Sequence, residues 1–242
     1  MTKSKSSAAF TLVELLIVIT IIAVLASIAL PAYTGVKERA DQTKDLSNAK
    51  QIALALRQFA VDNNGAYPAK PPGGGGDYNT AAAGTPATSN DAFWWLFPTY
   101  LQTEQIFAVA GSAYTPGTPD NRTDDPTTGA RANTLKKGEN NYAYVDGLTD
   151  TSPSTWPLIA DGFKPGTAAA PVYDTTKSNP GGVWSGKKAV VILCDASGQV
   201  MKTNATNQQV QRTDSTGAAT NMFVGAADWF SATNNPVLLP EN

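Results

Sequence analysis

The stretch Ala9–Pro31, AFTLVELLIVITIIAVLASIALP, decides the architecture. From Phe10 to Leu30 it has 21 residues and one ionisable side chain, Glu14. A helix needs roughly 20 apolar residues to cross a bilayer core, so this run is long enough to span one. The leader before it carries Lys3 and Lys5 and no acid. The positive-inside bias then keeps the N-terminus cytoplasmic and sends the rest of the chain across. A secretory signal peptide has a shorter apolar core, about 7–15 residues, and ends in a small-residue cleavage site. Here the small residues Ala8 and Ala9 precede the run.

Glu14 is the anomaly. A carboxylate at the centre of a membrane helix costs about 2.5–3.5 kcal/mol on insertion scales. It calls for a partner or for a shallow, wet position. No Lys or Arg lies between Lys5 and Lys37, so the sequence supplies no close internal cation.

A short basic leader, a small residue, Phe10-Thr11-Leu12-Val13-Glu14 and a long apolar helix together resemble the N-terminal signal of type IV pilins and type II secretion pseudopilins. The resemblance covers Ala8 to about Gly65 and is loose beyond. It implies cleavage between Ala9 and Phe10 by a prepilin peptidase, followed by N-methylation of Phe10. It also implies that Glu14 aids assembly by pairing with the Phe10 amine of an adjacent subunit. Pro31 stands where such helices often carry a kinking proline. The chain departs from the pattern at Ala9, where the family usually has Gly. The alternative is an ordinary signal anchor.

Composition narrows the rest. The 242 residues suit one modest domain plus the anchor. Net charge is −2, and loss of Lys3 and Lys5 would leave −4. That is not the basic footprint of a nucleic-acid binder. The single cysteine, Cys194, excludes an internal disulfide, and the absence of histidine removes His-based catalysis and most zinc sites.

After Pro31, the residues Leu46, Ala49, Ile52, Ala53, Leu56, Phe59 and Ala60 recur at spacings of three and four and make one apolar helix face. Lys37, Glu38, Arg39, Asp41, Lys44, Asp45 and Arg57 are read mostly onto the opposite side. Pro31 is expected to kink the helix rather than end it. Asn63-Asn64-Gly65 reads as its C-terminal cap. A continuous helix from Phe10 to Asn64 would be about 80 Å long.

Lys70–Ser89, with Gly73 to Gly76, reads as an exposed low-complexity loop; no Gly-Lys-Ser/Thr follows to make a phosphate cradle. Ser89-Asn90-Asp91 caps a short helix leading into Phe93, Trp94, Trp95, Phe97 and Tyr100, aromatics read mainly as core. Thr118–Asp125 concentrates oxygen ligands without the EF-hand spacing. Asn141–Val145, Trp156–Ala160 and Lys187–Cys194 read as strands, and Gln199–Lys202 as the hairpin partner of the last. Residues 203–220 are read as exposed, and Trp229-Phe230 as a last apolar patch before a Pro-rich tail.

The expected fold class is α+β: a long N-terminal helix whose second half packs on an antiparallel sheet of three to five strands. The expected segments are a leader (1–9), a membrane or filament-core helix (10–30), an amphipathic continuation (31–64) and a globular head (65–242). Asp146, Asp161 and Asp195 each read as closing a strand in a turn. No set of residues assembles into a reaction centre, so the chain is read as a non-enzyme without cofactors. Calcium is the one ion the acidic loops could hold, as some pseudopilins do in their C-terminal loops.

The resemblance implies a structural subunit of a type IV pilus or type II secretion pseudopilus. It would sit in the bacterial inner membrane as a single span, N-terminus cytoplasmic and head periplasmic, before entering a filament. The implied partners are the prepilin peptidase, other pilin or pseudopilin subunits and an inner-membrane assembly platform. The alternative is a membrane-anchored module binding polysaccharide or a secreted protein through the Trp94-Trp95 region or the Gly-rich loop.

Overall fold

The computed structural model describes residues 10–71, 78–81, 84–127, 129, 131–224 and 235–242. The predicted leader, Gly73 to Gly76 and Trp229-Phe230 lie outside the described residues. The chain divides into two compact units, Met1–Asp41 and Gln42–Asn242. Helix α1, Leu12–Asp62, contributes to both and stays α-helical through Pro31.

Within the first unit the described apolar residues of α1 are exposed on all sides, and its most apolar 18-residue window has no buried residue. The hydroxyls in the span close back on their own helix: Thr20 Oγ1 donates to the Ile17 carbonyl at 2.7 Å and Ser27 Oγ to Val24 at 2.7 Å. Satisfying polar groups internally is what an apolar surrounding demands.

In the second unit the remainder of α1 is part of the core. Ala49, Ile52, Ala53, Leu56, Phe59 and Ala60 are all buried, with Leu46 packed against them, as the three-and-four spacing predicts. Asn64 and Gly65 take positive φ, and the Gly65 amide reaches back to the Ala60 carbonyl at 2.8 Å. That bond satisfies one of the carbonyls a helix end leaves open.

The main sheet has five antiparallel strands in the order β4-β3-β2-β1-β7. They are β1 (Tyr142–Val145), β2 (Pro157–Asp161), β3 (Lys188–Leu193), β4 (Gly198–Lys202) and β7 (Val237–Leu238). The β3–β4 hairpin forms as expected, with Val190 opposite Val200. All of β1 and β2 is buried, so the central strands are covered on both faces. The fold is α+β.

Three local expectations change. Residues 203–220, read as exposed, bury Val210 alone but contain most of a second, two-stranded sheet of β5 (Gln211–Thr213) and β6 (Ala219–Asn221), which the reading did not foresee. The Pro-rich tail supplies β7, which pairs with β1. Helix α2, Ser89–Trp94, is capped by Thr88 rather than Ser89, because Thr88 and Asp91 make a reciprocal capping box. Ser89 is buried and donates to the Tyr142 carbonyl instead. The aromatics after it are core: Phe93, Trp94, Trp95 and Phe97 are buried, and Phe93 stacks edge-on to Tyr144 at 5.4 Å.

Candidate functional site

The start of α1 holds Phe10, Thr11 and Glu14. Phe10 precedes the helix and is 78% exposed. Thr11 is the N-cap. Its hydroxyl accepts from the Glu14 amide at 3.2 Å, while Glu14 Oε2 accepts from the Thr11 amide at 2.9 Å and from its hydroxyl at 2.8 Å. This is a reciprocal capping box, and it gives the Glu14 carboxylate a partner although no cation stands nearby in the sequence. The signal was present in the sequence, since Thr-Leu-Val-Glu fits the S/T-x-x-E pattern that opens helices. Its donors survive a cut before Phe10, because none comes from the leader. Ala9 lies outside the described residues, and Pro31 sits inside α1.

A second cluster lies inside the C-terminal unit and was not anticipated. Asp45, read onto the polar face of α1, is 2% exposed. The Tyr142 hydroxyl donates to its Oδ1 at 2.7 Å, and Oδ2 has no hydrogen-bond partner. Asp161 is fully buried in β2 instead of closing a turn. It accepts from Asn141 Nδ2 at 2.9 Å, Trp184 Nε1 at 2.8 Å and the Val190 amide at 2.7 Å.

Asp161 lies near enough for its charge to act on the Asp45 carboxyl. Burial, then the charge of Asp161, raises the Asp45 pKa well above the ordinary carboxylate range. Burial also raises Asp161, against the donors that favour its charge. With three donors on Asp161 and a bare oxygen on Asp45, the proton belongs on Asp45. Asp195 is a turn residue as expected, accepting from the Ser197 amide, whereas Asp146, just past β1, is buried and accepts from the Gly147 amide outside any turn.

The acidic loop separates into parts. Asp124 is drawn into its own loop, accepting from Asn133 Nδ2 at 2.7 Å and from the amides of Ala132, Asn133 and Thr134. Burial works against its charge, but these donors together hold it below the ordinary carboxylate value. Asp125 accepts from the Thr127 amide and hydroxyl. Asp120 instead meets Glu104 and Glu139, two acids outside the predicted stretch. The buried Trp94 and Trp95 spend their indole N–H groups on the carbonyls of Asp124 and Lys70.

Comparisons place the N-terminal segment. The family model of the prokaryotic N-terminal methylation motif matches residues 4–30. A type II secretion system core protein G from Aeromonas hydrophila is 39% identical over 62 residues, 26% of this chain and 43% of that protein. Its counterpart from Escherichia coli (strain K12) is 44% identical over 55 residues, 23% of this chain and 38% of that protein. A probable minor fimbrial protein of Dichelobacter nodosus is 39% identical over 82 residues, 32% of this chain and 52% of that protein. The chain thus spans about half the length, or less, of these relatives. No solved structure matches it.

Proposed function

We propose that this chain is a structural subunit of a bacterial filament of the pilin and pseudopilin class, built through its N-terminal helix. One observation carries the reading. The exposed apolar run of α1 bears the methylation motif and holds Glu14 in its first turn, while the C-terminal unit buries its own core. A long unburied helix joined to a folded unit suits head-to-tail helical stacking.

In this reading the run from Phe10 to Leu30 anchors the chain in the inner membrane, N-terminus cytoplasmic and the C-terminal unit periplasmic. A prepilin peptidase cuts between Ala9 and Phe10, and Phe10 is methylated. Other subunits and an inner-membrane platform then take the chain into a filament. The relatives named as type II secretion core proteins support the secretion branch. The role is structural and not catalytic. The burial of Trp94 and Trp95 speaks against a binding module that uses their rings.

Glu14 is the assembly residue. In the free subunit its carboxylate rests on Thr11. In the filament it pairs with the Phe10 amine of a neighbour, and opposite charges attract strongly where water is excluded. The test is Glu14→Val, followed by two measurements on the same cells. Membrane insertion and leader cleavage are expected to persist, while recovery of the variant in filaments of native subunits falls at least tenfold. Incorporation at the native level would overturn the assembly role.

A further inference from the structure

We propose that the outer edge of β4 is a docking site for an extended acidic segment of a partner polypeptide, which adds to the sheet as a further strand. β4 is the last strand on its side of the main sheet, and among the described residues it pairs only with β3. The two ends of that ladder fix which backbone groups are spent. The Leu193 amide donates to the Ser197 carbonyl at 2.8 Å, and the Thr203 amide to the Lys187 carbonyl at 3.1 Å. Between them Val191 stands opposite Gln199 and Ala189 opposite Met201, so the odd-numbered residues of β4 bond to β3. The N–H and C=O groups of Gly198, Val200 and Lys202 then face away from the sheet. Among the described residues no backbone bond from outside the sheet reaches them. Such a row is a template for another strand.

The side chains along that row give the chemistry of the occupant. Lys202 ends β4 directly opposite Lys188, and like charges so placed are unfavourable. Lys188 Nζ reaches the Gln42 amide oxygen at 3.4 Å. Towards the other end, Lys50 Cε lies 3.3 Å from the position a Gly198 Cβ would take. Among the described residues neither Lys50 nor Lys202 has an ion-pair partner. Asp195, the acid of the β3–β4 turn, accepts from the Ser197 amide, and Arg57 reaches its carbonyl at 3.1 Å. The row is therefore basic, in a chain whose net charge is −2.

Lysines on an edge strand also guard it against indiscriminate pairing. Here that guard repels basic strands and admits acidic ones, which makes the edge selective. Past Lys202 there is room for the end of an added strand. A cavity of about 690 Å3 opens there, lined in part by Lys187, Lys202, Thr203 and Gln208.

The experiment is fluorescence anisotropy of a labelled Val-Glu-Val-Glu-Val-Glu peptide with blocked ends, titrated with the full chain in neutral detergent micelles at pH 7.5 and low salt. Saturable binding is expected. Binding is expected to be at least tenfold weaker for the Val-Lys counterpart, and for a Val-Glu peptide whose pairing amides are N-methylated, which keeps the charge but not the donors. Val200→Pro removes an outward N–H and leaves the β3 ladder its bonds, because an edge strand tolerates proline. It is expected to weaken the Val-Glu peptide at least tenfold. Lys202→Glu, at an exposed position, guards against a folding artefact; it is expected to weaken the Val-Glu peptide at least fivefold and to strengthen the Val-Lys one. No saturable binding by the native chain would overturn the proposal. So would equal binding of the N-methylated peptide, or native binding by both variants. Native dimers that Val200→Pro dissolves would give the edge to a second copy and overturn it as well.

Discussion

The Tyr142 hydroxyl, on β1, donates to Asp45 Oδ1, on α1, at 2.7 Å, joining helix and sheet across the core of the C-terminal unit. Asp45 is held protonated by burial and by Asp161, so the native state keeps a proton that the unfolded chain releases above its ordinary value of 3.8. Stability from this group is complete below that value and falls as pH rises towards the raised native pKa, by up to about 1.4 kcal/mol per pH unit. Asp45→Asn can accept from Tyr142 and donate to Asp161 without titrating. It is expected to match or exceed native stability at pH 7 and to flatten the pH dependence. Urea unfolding of the full chain between pH 5 and pH 8 checks this; an Asp45→Asn curve parallel to the native one would contradict it.

The capping box at Thr11 gives a second expectation. Thr11→Val removes the hydroxyl that both accepts from the Glu14 amide and donates to its carboxylate. Losing an N-cap costs about 1 kcal/mol. Hydrogen exchange at the Glu14 amide in micelles should speed up by about fivefold, while amides beyond Ile19 stay unchanged. Unaltered exchange at Glu14 would show that the box does not hold the helix start.

Phe59 and Val61 lie two residues apart on α1 with opposite fates. Phe59 is 2% exposed and stacks edge-on to Tyr78 at 4.8 Å and Tyr100 at 5.6 Å, whereas Val61 is 79% exposed. Phe59→Ala is expected to cost about 3–5 kcal/mol, and Val61→Ala less than about 0.5 kcal/mol. Thermal unfolding of the two variants side by side is decisive, and equal midpoints would remove this part of α1 from the core.

Asn90 tests the buried polar network. Its Nδ2 donates to the Leu135 carbonyl at 2.6 Å, and its Oδ1 accepts from Asn140 Nδ2 at 2.9 Å and the Glu241 amide at 3.1 Å. Asn90→Ala leaves the Glu241 amide without this partner, while the Leu135 carbonyl keeps Arg131 and Asn140 Nδ2 keeps Ser89 and Tyr142, at a cost of about 1–2 kcal/mol. The urea midpoint should fall, with faster exchange at the Glu241 amide as the local signature.

Much of this was legible in the sequence. The apolar spacing from Leu46 to Ala60 and the run Ala189–Ile192 announce their burial because periodicity and β-branching act locally. Asp45 escaped for a specific reason. It stands four residues before Ala49 and seven before Ile52, so position alone assigns it to the apolar face, yet residue type assigns it to water. Only the polar partners brought by β1 and β2, far along the chain, reverse that preference. Strand β7 escaped because two residues carry no alternation to read. Glu104 and Glu139 escaped because nothing local marks acids that meet only when the loops close.

The residues from Pro236 to Glu241 bind the C-terminal unit at several points. The Asp146 amide donates to Pro236, β7 lies along β1, the Ser89 amide donates to Leu239, and Arg131 forms an ion pair with Glu241 at 2.5 Å. Every one of those partners is synthesised earlier than the strap that fastens it. A chain made from its N-terminus therefore presents β1 with one edge open until these residues follow. Closure of that edge is a timed event that waits on Pro236 to Glu241.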